Sequence, residues 1–136
     1  MCILNLVLSI PDRASMPVRL LHLPFREFLI DPLKEKHPFW VDERARHERI
    51  ASRCLQLMSG PAGLRHNICD LPFGVLRSSV SQEKIASHLP LELQYACRYW
   101  TYHIEKSESS ICEGDSTDIF LQKQFLHWLE AMSLIG

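Results

Sequence analysis

The sequence predicts a mainly α-helical bundle or array of four to six helices, with a short αβ element at its N-terminal end. Three observations point there. Apolar residues recur at helical spacing in several segments, those segments open and close on cap and stop residues, and the loops between them have ordinary lengths. A chain of 136 residues is one domain or a piece of one. With 46% apolar residues it can build a core of that size.

Met1 to Ile10 is apolar without a clean period, so a buried strand and a short helix both fit. Pro11 to Pro17 is a loop, with two prolines and a turn-forming Asp12. Val18 to His22 reads as a strand that feeds a helix starting at Pro24, because proline suits a first-turn position whose N–H has no intrahelical partner. Phe25, Phe28 and Leu29 then form an expected buried stripe that Asp31-Pro32 ends.

A second helix is expected from an Asp42 cap, with Ile50, Ala51, Cys54, Leu55 and Met58 on its inner face. Its stop is Ser59-Gly60-Pro61, with Gly60 as the left-handed cap. Leu64, Ile68 and Leu71 are spaced as one or two helical turns. Ser79 to His88 is expected as a short helix with Ser79 and Gln82 in capping-box spacing. From Pro90, Leu93, Ala96, Cys97, Trp100 and Ile104 trace an amphipathic helix whose apolar side Tyr95, Tyr99 and Tyr102 widen. Lys106 to Asp115 is a loop, and Ser116 or Thr117 caps a last helix with Leu121, Phe125, Trp128, Leu129 and Met132 on one face. Gly136 follows that apolar run directly, an ending that suggests truncation of something longer.

Charge and composition remove several functions. Fifteen Lys and Arg against sixteen Asp and Glu leave a formal charge of −1, which gives no electrostatic footprint for nucleic acid or an anionic membrane and disfavours binding by charge alone. Five glycines, none in a phosphate-cradling series, exclude autonomous nucleotide hydrolysis. Five widely spaced cysteines read as reduced, cytosolic side chains used as small apolar groups, which places the chain in the cytoplasm. No stretch approaches the roughly 20 apolar residues of a membrane span.

Candidate chemistry is sparse. His66 and Cys69 have a zinc-compatible spacing, with Cys54 and His47 as completions, but no second close pair accompanies them, so a buried cysteine and a half-exposed histidine account for the pattern. Cys97 and His103 lie six apart on one helix and point to different faces. Ser9, Ser15, Ser78 and Ser79 sit in no nucleophile elbow. Glu113, Asp115 and Asp118 crowd a helix start, where the dipole is explanation enough. The Trp100 and Trp128 stripe reads as core, or else as a partner groove. His22, between a strand-like run and a helix, is either satisfied by local backbone or aimed at a ligand held by another domain. Catalytic and metal-binding residues are therefore expected to be none.

The blocks Val18-Arg19-Leu20-Leu21-His22-Leu23-Pro24-Phe25-Arg26-Glu27-Phe28-Leu29, Phe39-Trp40-Val41-Asp42, Cys54-Leu55-Gln56-Leu57-Met58, Asn67-Ile68-Cys69, Leu89-Pro90, Gln94-Tyr95-Ala96-Cys97-Arg98-Tyr99-Trp100 and Phe125 to Leu134, in that order, resemble a region of fungal NACHT-type STAND NTPases, the NOD-like receptor class. There a strand ending Leu-His is followed by a Phe-x-x-Phe-Leu helix. The resemblance implies residues 1–31 as the end of a winged-helix domain and 32–136 as a helical connector, truncated at its C-terminal end. His22 would match the sensor histidine that reaches the β-phosphate of ADP in the full-length protein. Where the family usually has a capping Ser, this chain has Pro24. The implied cofactors, ADP or ATP with Mg, belong to the parent protein and not to this chain, which lacks the phosphate loop and the acidic Mg-binding strand. The implied partners are the parent's nucleotide-binding core and its C-terminal repeats, with self-association a further class. The expected role is a non-catalytic connector that couples nucleotide state to the repeats. The rival is a free-standing helical interaction module.

Overall fold

The computed structural model describes the strands Leu8–Ser9 and Arg19–Leu20 and residues 23–136. The described part is mainly helical. The chain forms two units, Met1–Glu43 and Arg44–Gly136.

In the first unit, β1 (Leu8–Ser9) pairs antiparallel with β2 (Arg19–Leu20), Leu8 opposite Leu20 and Ser9 opposite Arg19. Helix α1 follows at Leu23–Ile30. It begins one residue before Pro24, whose missing N–H still falls among the first-turn donors that have no helical partner. The Asp31-Pro32 stop holds, and Asp31 caps a 3₁₀ turn over Pro32–Lys34 by accepting from the Leu33 N–H at 3.0 Å. The expected buried stripe does not form: Phe25 is exposed, and Phe28 and Leu29 are half-buried. Phe28 is flanked instead by Lys34 Nζ, 4.2 Å from its ring centroid, and by the edge of His37. The Val41 N–H donates to the Leu29 carbonyl at 2.7 Å, and Arg26 pairs with Glu43, tying the end of the unit back to α1.

The second unit holds the core. Helix α2 (Glu43–Ser59) starts directly after Asp42 and buries Ala51, Cys54, Leu55 and Met58. Ile50 belongs to its outer flank and is 37% exposed. The helix stops at Ser59 as the sequence predicts, but for a different reason. Gly60 stays out of the left-handed region, and the chain turns back so that the Leu64 N–H donates to the Met58 carbonyl at 2.8 Å. Gly63 makes this possible. A Cβ there would strike the Leu57 and Met58 carbonyl oxygens well inside contact distance. Gly63→Ala is expected to cost about 1–3 kcal/mol as an overpacked contact against backbone, readable as an earlier urea midpoint with unchanged slope.

Leu64 to Leu71 is no helix, contrary to its apolar spacing. Asn67 and Asp70 both take positive φ, 49° and 48°, which asparagine and aspartate tolerate better than most residues. The Asn67 side chain closes the turn on both sides: its amide donates to the Leu71 carbonyl at 2.9 Å and its oxygen accepts from the Leu71 N–H at 2.8 Å. Leu64, Ile68 and Cys69 are nonetheless buried. Arg77–Ser79 is a 3₁₀ turn. Helix α3 (Gln82–His88) is capped by Ser81, which accepts from the Lys84 N–H at 3.2 Å. The expected cap Ser79 instead donates its hydroxyl to the Leu76 carbonyl.

Helix α4 (Leu91–Ser107) buries Leu93, Ala96, Cys97, Trp100, His103 and Ser107. Tyr95, Tyr99 and Tyr102 do not widen that face. Each is nearly half exposed. Glu108 ends the helix in the left-handed region. Helix α5 (Ser116–Ile135) is capped by Asp115 rather than by Ser116 or Thr117, because the Asp115 carboxylate accepts from the Asp118 N–H at 2.8 Å. Its inner face is Thr117, Phe120, Ala131 and Leu134, with Leu121, Trp128 and Met132 packed beside them. The expected stripe is thus rotated: Phe125 and Leu129 lie at the surface. Packing is aromatic where α4 meets α5, with Trp100 edge-on to Phe120 at 5.2 Å and to Trp128 at 5.8 Å, and Trp128 Nε1 donating to the Cys97 carbonyl at 2.8 Å.

Candidate functional site

His103 sits on the buried side of α4, one turn beyond Trp100, and is only 5% exposed. Buried imidazole needs partners for both ring nitrogens. They are supplied from two directions. His47, one turn into α2, places its Nδ1 2.7 Å from His103 Nδ1, and the Tyr95 hydroxyl lies 2.7 Å from His103 Nε2. Tyr102 meets both imidazoles edge-on, and Tyr99 lies against Tyr95. The result is a polar chain, His47–His103–Tyr95, across the α2–α4 seam.

The electrostatics favour the neutral forms of His103 and Tyr95. Burial holds the His103 pKa below the ordinary imidazole value, and the neighbouring His47 pushes the same way. Burial raises the Tyr95 hydroxyl, with Cys54, Tyr99 and Tyr102 adding to the effect. The chain can relay a hydrogen-bond direction either way, since the Tyr95 hydroxyl can donate or accept.

Of the candidates weighed from sequence, His47 and His103 meet here, though not in the roles considered for them. His22 lies outside the described residues. His47 pairs with His103, while Cys69 is buried under the 64–71 turn and His66 is exposed. Among the described residues no group of three or more His, Cys, Asp or Glu side chains is arranged to hold a metal ion. Cys97 and His103 are both buried, but six residues apart they point in different directions round the helix. The two His103 nitrogens are already engaged by His47 and Tyr95. The Cys97 thiol is pushed up to about 11, chiefly by burial, so at neutral pH it is a thiol and a poor nucleophile. Asp115 accepts from the Asp118 and Cys112 N–H groups, which hold its carboxyl below the usual range. Asp118 accepts from the Gly114 N–H at 2.8 Å. These carboxylates shape the loop before α5.

A cavity of about 250 Å³ opens beside that loop, lined by Glu48, Ser52, Ile104, Ser107, Ser109 and Thr117 among others. Glu48 and Asp115 on its wall disfavour an anionic ligand. Trp100 is core, 4% exposed, and Trp128 is packed against it.

Sequence reasoning missed the histidine pair because it joins residues 56 positions apart. One signal was present. His103 follows Ala96 and Trp100 at i+7 and i+3, on the apolar side of its helix.

No protein-family model, no curated protein and no solved structure matches the chain. Among the described residues no helix is long and apolar enough to cross a membrane.

Proposed function

We infer that this chain is a non-catalytic helical connector of a NACHT-type signalling ATPase, in which packed helices carry nucleotide state from a core to C-terminal repeats. The sequence blocks that resemble that class, in their order along the chain, carry the reading. Residues 1–31 would then end a winged helix and His22 would donate to the β-phosphate of ADP in the complete protein. Such a charge-assisted bond is worth about 1.5–3 kcal/mol, enough to bias a two-state equilibrium by roughly tenfold to a hundredfold.

The surface of α5 supports a protein partner over a small substrate. Ile119, Phe125, Leu126 and Leu129 stand 44%, 40%, 75% and 44% exposed over a helix whose other side is already buried. A flank of that kind suits a neighbouring helix of the same parent. The test is the full-length transcript from the locus. An upstream Gly-x-x-x-x-Gly-Lys-Ser/Thr segment in the same frame is the expected result. A transcript that encodes no such segment overturns the connector reading and leaves the helical interaction module.

A further inference from the structure

The geometry points to a proton-operated clasp between α2 and α4: the helices are pinned while His47 and His103 share a bridging proton, and released when both rings become imidazolium. The pair has room for one bridging hydrogen. At 2.7 Å between Nδ1 atoms, one nitrogen must donate and the other must present a lone pair. When both rings are neutral, either can take either role, and Tyr95 adapts its hydroxyl to the His103 tautomer. With one added proton the bond survives as N–H⁺···N. With both rings charged, neither Nδ1 can accept, two N–H groups face each other, and two cations stand side by side in a seam where His103 is 5% exposed. That arrangement is the costly one.

The surroundings offer the second charge little relief. From α4 the pair meets the Tyr95 hydroxyl and the Tyr102 ring, with Tyr99 against Tyr95 and Lys106 over Tyr102 at 5.8 Å from its centroid. From α2, Cys54 raises the Tyr95 hydroxyl further. Arg44, one turn before His47, is paired with Glu108 at 2.9 Å, and Glu43 is engaged by Arg26. The lowered His103 pKa agrees in direction. A base depressed in the folded state contributes stability that is complete above its unfolded value, near 6.5, and that is lost as pH falls towards its folded value. Acidification therefore loosens the α2–α4 seam, independently of any parent protein.

The experiment is equilibrium urea unfolding of the full chain from pH 8 to pH 5, for the native sequence, His103→Gln and His47→Gln. Below pH 6.5 the unfolding constant of the native chain should rise, relative to His103→Gln, by up to about tenfold per pH unit, the limit for one proton. His47→Gln removes the second charge and should shift the onset of that rise to lower pH. Should a variant fail to fold, the native chain carries the test alone, through ring-nitrogen NMR and hydrogen exchange over the same range. His103 is expected to remain neutral below pH 6.5, and α2 amides to lose protection only once both rings are charged. Parallel unfolding profiles for native and His103→Gln chains, a His103 that charges at 6.5, or an α2 that stays protected after both rings are charged would each overturn the clasp.

Discussion

Phe120→Ala is expected to lower stability by about 3–5 kcal/mol, the range for emptying a buried phenyl site. Phe120 is 1% exposed and lies at the heart of the α4–α5 contact, edge-on to Trp100. Trp100 in turn braces Trp128, whose indole N–H is anchored on the Cys97 carbonyl. Truncation at 120 therefore removes one end of a continuous aromatic stack, and the two remaining indoles cannot collapse into the gap without breaking that anchor. Urea unfolding should show the loss with its slope intact. Phe120→Leu, which keeps most of the volume, should cost less than about 1.5 kcal/mol. Equal losses for the two variants would mean that the site relaxes freely and that the stack is not what holds α5 down.

Glu130→Ala is expected to cost about 3 kcal/mol, from a side chain that contributes no core at all. One Glu130 oxygen accepts from the Asn67 N–H at 3.0 Å and the other from the Ile68 N–H at 3.2 Å. Both donors belong to the turn that carries Leu64, Ile68 and Cys69 into the core. Charge-assisted bonds to backbone contribute about 1.5–3 kcal/mol each, and removing the acceptor leaves two amides without partners beside buried Ile68. Asn67 is also held at positive φ, a conformation that persists only while its surroundings enforce it. Hydrogen exchange should accelerate at Asn67 and Ile68 before it does in α4. Glu130→Gln keeps one acceptor oxygen and should recover about half of the loss. An Ala variant as stable as the native chain would show that the turn is self-supporting.

Much of the helical layout was legible because period and punctuation agree. Met58, Cys54 and Ala51 on α2, and Trp100, Cys97, Ala96 and Leu93 on α4, are buried where their spacing puts them. Legibility fails where a helix is apolar over most of its circumference. In α5, Ile119, Phe120, Leu121, Phe125, Leu126, Trp128 and Leu129 leave two stripes equally plausible, and only the partner helix decides between them. Caps shifted by one or two residues for a similar reason, since Ser79 and Ser81, or Asp115 and Ser116, are equivalent until backbone geometry selects one. The 64–71 turn was misread because Leu64, Ile68 and Leu71 bury with helical spacing while Asn67 and Asp70 break the helix between them. The His47–His103 pair was legible only in part. A histidine on an apolar face announces burial, but no local pattern names a partner on another helix.

We propose that this polypeptide works by packing and makes no chemistry of its own. Equilibrium dialysis of the purified chain against labelled ADP and Mg-ATP, with free phosphate assayed in the same samples, tests that most directly. The predicted result is no saturable nucleotide binding and no phosphate release above the buffer blank. Stoichiometric binding, or turnover that survives repurification, would contradict it.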